Sequence, residues 1–187
     1  MNKTQKSMSK IAFNVMNLIM KIRKRARDIN LEIGLAKPEK GNTILDFGCG
    51  LGFNSIPAAQ LVGIKGKVFA LDISKQAVNL VNRKAKKAKL NNIITIHSDC
   101  ATKLENESVD VAYLHNVFPM ILDKKSVLKE IARVLKKTGR LSVTTGKMAR
   151  RVGKDTMSNQ QLIEYLGSEY NYKLINNING HLIFQKT

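Results

Sequence analysis

Between Ile44 and Asn54 the chain reads ILDFGCGLGFN, which puts a carboxylate, Asp46, just ahead of three alternating glycines, Gly48, Gly50 and Gly52. Bare backbone at such spacing serves a sharp turn that a ligand approaches closely, because a Cβ at those points would stand in its way. A dinucleotide pyrophosphate would ask for G-x-G-x-x-G, with the third glycine where helix and strand pack together. That position is Phe53 here, and starting the pattern at Gly50 puts Ser55 in the required place, so the dinucleotide reading fails on spacing. Later apolar runs also end in groups able to do chemistry: Asp72 closes VFALD, Asp99 and Cys100 follow IITIHS, and His115 closes VDVAYLH. Each has a structural reading beside the functional one. Asp72 suits a turn or helix cap, Cys100 a small buried thiol, and His115 a strand-end imidazole satisfied by its neighbours.

Taken in order, these elements resemble the class I S-adenosylmethionine-dependent methyltransferases, over roughly Leu35 to the C-terminus. The resemblance implies an α/β, Rossmann-like fold, with a seven-stranded, mostly parallel sheet of order 3-2-1-4-5-7-6 and helices on both faces. It also implies S-adenosyl-L-methionine as cofactor, S-adenosyl-L-homocysteine as product, and no metal. In that family's first motif an acid precedes G-x-G-x-G, as Asp46 precedes Gly48, Cys49, Gly50, Leu51 and Gly52 here. Asp46 would anchor the methionyl amine side. Asp72, followed by Ile73, would bridge both ribose hydroxyls, two donors that suit one two-oxygen acceptor. Asp99 would accept the adenine amine and the Cys100 amide would meet a ring nitrogen. His115 would face the transferred methyl, as a cofactor contact and as a base or acceptor-orienting group.

The run LKEIARVLKKTGRLSV resembles the ubiquinone-biosynthesis-like, type 11 subgroup, which implies a small-molecule acceptor. Two alternatives stay open: methylation of an anionic macromolecule or membrane substrate (RNA, lipid or protein), and a non-catalytic partner that binds the cofactor. Because a sulfonium methyl is already electrophilic, amine or thiol acceptors need only alignment, whereas a hydroxyl or ring carbon needs a base.

The elements that must position these residues follow from periodicity. Apolar residues Ile11, Val15, Leu18, Ile19 and Ile22 mark one face of an N-terminal helix from Ser9 to Arg27 with a basic tail. Strands are expected at 43–47, 67–72, 93–97, 109–115 and 140–145, and a closing pair at 172–177 and 181–186 joined through Asn179-Gly180. Between them fall helices over SIPAAQLVG, after an N-cap at Ser74, over 124–137 with Thr138-Gly139 as the stop, and after a Ser158/Gln161 capping box. Strands alternating with helices, then a hairpin, give a mostly parallel sheet with an antiparallel edge, whose ligands bind beyond the strands' carboxyl ends. The organisation expected is a basic helical extension acting as a lid over residues 1–34 and a methyltransferase domain over 35–187. Phe13, Met16 and Met20 are candidates for an apolar wall of the acceptor pocket, or for ordinary core contacts.

Composition fits one domain: 187 residues, 43% apolar, with only 3 prolines and no tract that reads as a linker. The net charge of +18 admits nucleic acid or an anionic membrane surface as partners, or a solvated surface alone. Basic runs recur at 21–27, 83–89, 135–140 and 147–154. Two cysteines make no disulfide framework, Asn14 and Asn17 interrupt the N-terminal apolar run, and no stretch approaches the ~20 apolar residues of a membrane span. The reading is a cytoplasmic protein.

Overall fold

Thr43–Phe47 is apolar at Ile44, Leu45 and Phe47, and all of its residues after Thr43 are buried. A strand so continuously buried belongs in the middle of a sheet covered on both faces, and β1, as it is named here, lies there. The computed structural model of the chain describes residues 29–144, 157–178 and 180–187. The helix expected over Ser9 to Arg27 with Phe13, Met16 and Met20, the basic clusters at 21–27 and 147–154, and Asn179 lie outside the described residues.

The described elements are α1 (Ile29–Gly34), β1, α2 (Ser55–Val62), β2 (Lys67–Asp72), α3 (Lys75–Lys87), β3 (Ile93–His97), β4 (Val109–His115), α4 (Lys124–Val134), β5 (Leu135–Thr144), α5 (Asn159–Tyr170), β6 (Tyr172–Ile178) and β7 (His181–Lys186). Seven strands form one sheet in the order β3-β2-β1-β4-β5-β7-β6. The first five are parallel; β7 runs antiparallel to both β5 and β6. This is the expected architecture and strand order.

Alternation along the strands sends side chains to two separate cores. Ile44, Val68, Val111 and Tyr113 pack with Ala58, Ala59 and Val62 of α2 and Ile33 of α1 on one face. Leu45, Ala112, Leu114, Leu141, Val143, Leu182 and Phe184 meet Leu128 and Ile131 of α4 and Leu162 and Leu166 of α5 on the other. Helix α3 covers Cys49 and Ala70 through Val81, on the α2 side. Its start is capped as expected, with Ser74 Oγ accepting from Ala77 N, and α5 carries the full Ser158/Gln161 capping box.

One boundary differs from expectation. The helix over 124–137 ends at Val134, because Leu135 already pairs with Val109 in the sheet and is fully buried. Pairing resumes at Val111↔Arg140, so residues 136–139 bow out of the strand as a bulge. The anticipated Thr138-Gly139 punctuation sits inside that bulge. A Cβ at Gly139 would lie 2.8 Å from Leu135 Cδ2 and 2.9 Å from Lys136 O, which is why the bulge carries glycine.

At the amino ends of β1 and β2 the loops lock together. Gly41 N donates to Val62 O at 2.8 Å, Lys67 N to Asn42 O at 3.0 Å, and Gly66 N to Gly63 O at 3.0 Å. Gly66 is buried here, and a Cβ on it would stand 2.5 Å from Val62 Cβ and 2.7 Å from Asn42 O. Gly66→Ala should therefore destabilise the fold by about 1–3 kcal/mol, the scale of overpacking. Urea unfolding checks this, and an unchanged midpoint would contradict the packing.

Candidate functional site

The carboxyl ends of β1 and β2 lie side by side, with Asp46 opposite Ala70 and Phe47 opposite Leu71. Beyond them the glycine loop turns back on the second strand: Gly48 N and Cys49 N both donate to Leu71 O, at 2.8 and 2.9 Å. Asp72 completes the clasp. Its Oδ2 accepts from Gly50 N and its Oδ1 from Ser74 N, each at 2.8 Å. One carboxylate thus holds the glycine loop and the start of α3 together. Burial pushes Asp72 above the ordinary carboxyl value, against the pull of those two amides.

Asp46 is almost wholly buried. Ser55 Oγ donates to its Oδ2 at 2.5 Å and Asn54 Nδ2 to its Oδ1 at 3.3 Å, so the start of α2 is tied to the end of β1. Burial raises Asp46 to about 6, and the nearby Asp72 charge adds to the rise, while the Ser55 and Asn54 bonds oppose it. Burial likewise lifts the Cys49 thiol, helped by the charges of Asp46 and Asp72. The loop thus gathers two carboxylates in a strongly basic chain.

The three glycines stand there for different reasons. All have positive φ, +76, +49 and +74 for Gly48, Gly50 and Gly52. A Cβ on Gly48 would fall 2.5 Å from Val117 Cγ2, and one on Gly52 would fall 3.1 Å from Val81 Cγ2, so packing forbids it at both. At Gly50 the nearest atom would be Gly48 O at 3.9 Å. Gly50 faces open space, where backbone can meet a ligand. Phe53, the residue that spoils the dinucleotide spacing, packs instead on Leu51 and Ala77, with the Lys84 ammonium 5.2 Å from its ring centre.

Asp99 and Cys100 follow β3, whose end is joined to β2 through Ser98 N and Asp72 O at 3.1 Å. Asp99 is exposed and Cys100 half-buried. The Cys100 amide donates to Ser98 Oγ at 3.2 Å. Ile73 contributes its carbonyl to His97 Nε2 at 2.9 Å. Asp99, Cys100 and Ala101 line a recess with Ser126, Lys129, Glu130 and Arg133 of α4. Its floor is a knot that the sequence reading missed: Glu130 Oε1 accepts from Thr102 N at 2.9 Å, and Arg133 Nε donates to Glu130 Oε2 at 2.8 Å. The Arg133 hydrogen bond is the main cause that holds Glu130 down at about 2. The i,i+3 spacing of the pair was visible, but its grip on the loop after β3 was not.

His115 closes β4 and is buried. Its Nε2 lies 2.8 Å from Ser142 Oγ on β5, and its ring meets those of Tyr113 and His181 at centroid distances of 5.0 and 5.3 Å. Asn116 turns the chain with φ +59, held by Asn116 N donating to Thr144 Oγ1 at 2.9 Å and Thr144 O at 3.1 Å. That turn delivers Val117 onto Gly48, so the acceptor-side segment and the glycine loop touch. Asp46, Gly48, Cys49, Gly50, Gly52, Asp72 and Ile73 thus form one connected structure, to which His115 is joined through Val117 and Asp99 and Cys100 through Ser98. Among the described residues no three His, Cys, Asp or Glu side chains gather as a metal would require.

Residues 38–184 match the sequence pattern of the methyltransferase-domain family. Among curated relatives, a probable cobalt-precorrin-6B C(15)-methyltransferase (decarboxylating) of Saccharolobus solfataricus is 31% identical over 116 residues, 60% of this chain and 57% of that protein. A demethylmenaquinone methyltransferase of Listeria welshimeri is 29% identical over 143 residues, 75% of this chain and 61% of that protein. The chain therefore spans about three-fifths of the length of these relatives. In structure it is similar to a putative S-adenosyl-L-methionine-dependent methyltransferase of Methanococcus maripaludis, with TM-score 0.76 and 18% identity, covering 100% of this chain and 97% of that one. A geranyl diphosphate methyltransferase in complex with SAM gives TM-score 0.67 at 16% identity, covering 80% and 66%.

Two measurements test this geometry without any ligand. Overlap with Val117 should make Gly48→Ala costlier to stability than Gly50→Ala, by about 1–3 kcal/mol; equal losses in thermal melts would remove the distinction between the two glycines. Asp46 has a raised folded-state value, so its contribution to stability is full below the unfolded carboxyl range and is lost as pH rises through about 6. Asp46→Asn should therefore gain stability relative to the parent between pH 3 and pH 7, on the order of 2–3 kcal/mol. A pH-independent difference between the two melts would contradict the buried charge.

Proposed function

Because the chain belongs to the methyltransferase-domain family, we propose that it transfers the methyl group of S-adenosyl-L-methionine to a small-molecule acceptor and releases S-adenosyl-L-homocysteine. The observation that carries this reading is Gly50: a positive-φ glycine with open space at its Cβ position, its amide fixed by Asp72 at the carboxyl end of a parallel sheet. Bare backbone left unobstructed beside two carboxylates would suit a large cationic ligand.

Each Asp72 oxygen accepts one amide and keeps a further acceptor site, which leaves two for a pair of neighbouring hydroxyls. Asp46 and Asp72 give the loop negative charge, which favours an ammonium and a sulfonium there over a pyrophosphate. Asp99, exposed at the recess beyond β3, would accept an exocyclic amine. The Cys100 amide reaches Ser98 Oγ at 3.2 Å, a long bond that a ring nitrogen can replace. When bound, S-adenosyl-L-methionine supplies a methyl group already activated by its sulfonium. His115, with its ring fixed by Ser142, would orient an acceptor or take its proton; a buried, pre-set side chain loses little entropy in doing so.

The small-molecule reading is supported by the names of the two curated relatives, which act on a precorrin and on demethylmenaquinone. An anionic macromolecular substrate is the second reading, resting on the net charge of +18. No helix among the described residues is long and apolar enough to cross a membrane. A cytoplasmic site of action is proposed from the free thiols of Cys49 and Cys100.

Calorimetry with S-adenosyl-L-homocysteine and NAD, followed by a labelled-methyl assay against fractionated cell metabolites, tests the proposal. Binding of the first ligand alone is expected. Asp72→Ala should weaken it by about 1–3 kcal/mol, whereas His115→Ala should lower turnover and leave cofactor affinity nearly intact. NAD binding without a response to the sulfonium cofactor or its product would overturn the assignment.

A further inference from the structure

Charge is unevenly spread over the described residues. Between 47 and 98 eight Lys and Arg residues are set against one carboxylate, Asp72, which is already engaged with two backbone amides. From 99 to 144 eight cations are set against six carboxylates, and pairs such as Glu130–Arg133 and Asp110–Lys136 join them. The unbalanced charge therefore lies on the β2–α3–β3 side. Lys65, Lys67, Lys86, Lys87 and Lys89 are all exposed there, and none makes an ion pair among the described residues.

Most of these lysines gather at the amino ends of β2 and β3, on the opposite end of the sheet from Asp46 and Asp72. The loops there form one rigid surface. Besides the bonds that join residues 41–42 to α2 and β2, Val68 N donates to Asn92 O at 2.8 Å, and Asn92 Nδ2 donates to Ala59 O and Gly63 O, each at 2.9 Å. Lys40 adds a further exposed cation, and Glu39 beside it is the one carboxylate on the three loops.

At the tip of this surface stands Ile64. The turn Gly63–Gly66 closes on its own hydrogen bond and holds Ile64 98% exposed. Tips of tight turns favour Gly, Asn, Asp or Ser, so an isoleucine displayed beside Lys65 and Lys67, with Lys40 and Lys89 on the neighbouring loops, asks for a partner that is anionic outside and aliphatic within. The large apolar side chains exposed among the described residues include no aromatic ring, so the stacking platform used for unpaired bases is lacking.

We propose that this amino-end surface docks on an acidic phospholipid bilayer, with Ile64 entering the headgroup boundary and the surrounding lysines meeting lipid phosphates. Docked in this way, the protein keeps its glycine loop directed away from the bilayer. The inference stands apart from the methyl-transfer reading, since it uses none of the residues assigned to that site.

The sequence contains no tryptophan, so Ile64→Trp places a single fluorescent reporter at the tip of the full chain. Vesicles of phosphatidylcholine with phosphatidylglycerol should sediment the wild-type protein in a salt-sensitive manner, while phosphatidylcholine alone should not. The Ile64→Trp emission should shift to the blue on the acidic vesicles. The combined variant Lys65→Gln, Lys67→Gln, Lys87→Gln and Lys89→Gln should lose roughly tenfold or more in vesicle affinity, with an unchanged circular-dichroism melt. Failure to sediment with acidic vesicles overturns the proposal. So does sedimentation with an unmoved tryptophan emission, which would assign binding to another basic segment. Binding of duplex RNA that the four-lysine variant abolishes, with no vesicle binding, would replace the bilayer by nucleic acid.

Discussion

The Asp72 carboxylate is the point on which the site depends. A loop rich in positive-φ glycine has many conformations open to it, and fixing one costs entropy. Two charge-assisted bonds, to Gly50 N and Ser74 N, select the conformation in which Gly50 faces open space. The same clasp fixes where α3 begins, and hence where Val81 lies against Gly52. Parallel pairing of β1 with β2 is what brings the carboxylate within reach of a loop 22 residues away in sequence.

Asp46 shows the opposite balance between stability and use. Its position at the end of a central strand buries it, and the loss of hydration raises it to about 6 against the opposing bonds from Ser55 and Asn54. A neutral residue would cost less to bury there. A carboxylate suits the loop only when a positive charge arrives, so the fold keeps an electrostatic cost that a cationic ligand would relieve. The negative charge is also local. Among the described residues the excess of cations lies between 47 and 98, where Lys65, Lys67, Lys86, Lys87 and Lys89 are exposed.

Coupling between the cofactor side and the acceptor side runs through packing. Thr144 fixes Asn116 in a left-handed turn, Asn116 aims Val117, and Val117 fills the space that a Gly48 side chain would need. His115 sits next to that turn with Ser142 on its Nε2. The segment after β4 is therefore set by β5, three strands from β2, before any acceptor is present.

Much of this was legible in the sequence. Apolar period and turn chemistry are local, so the strands, the Ser74 and Ser158 caps, and the acid-plus-glycine loop could be placed from residues near one another in the chain. Candidate residues at strand ends were found for the same reason, since a sheet of this kind presents its carboxyl ends to ligands. The helix end at Val134 was not legible, because the helical period runs on through Leu135 while a long-range pairing with Val109 decides against it. Nor were the partners, Ser142 on His115, Val117 on Gly48 and Thr102 on Glu130, or the exposed Ile64 turn. Those depend on strand order and register, and a one-residue slip would move each side chain to the other face. Residue type and local spacing mark the candidates; which of them meet depends on strand pairing, because contacts across a sheet are fixed between segments far apart in the chain.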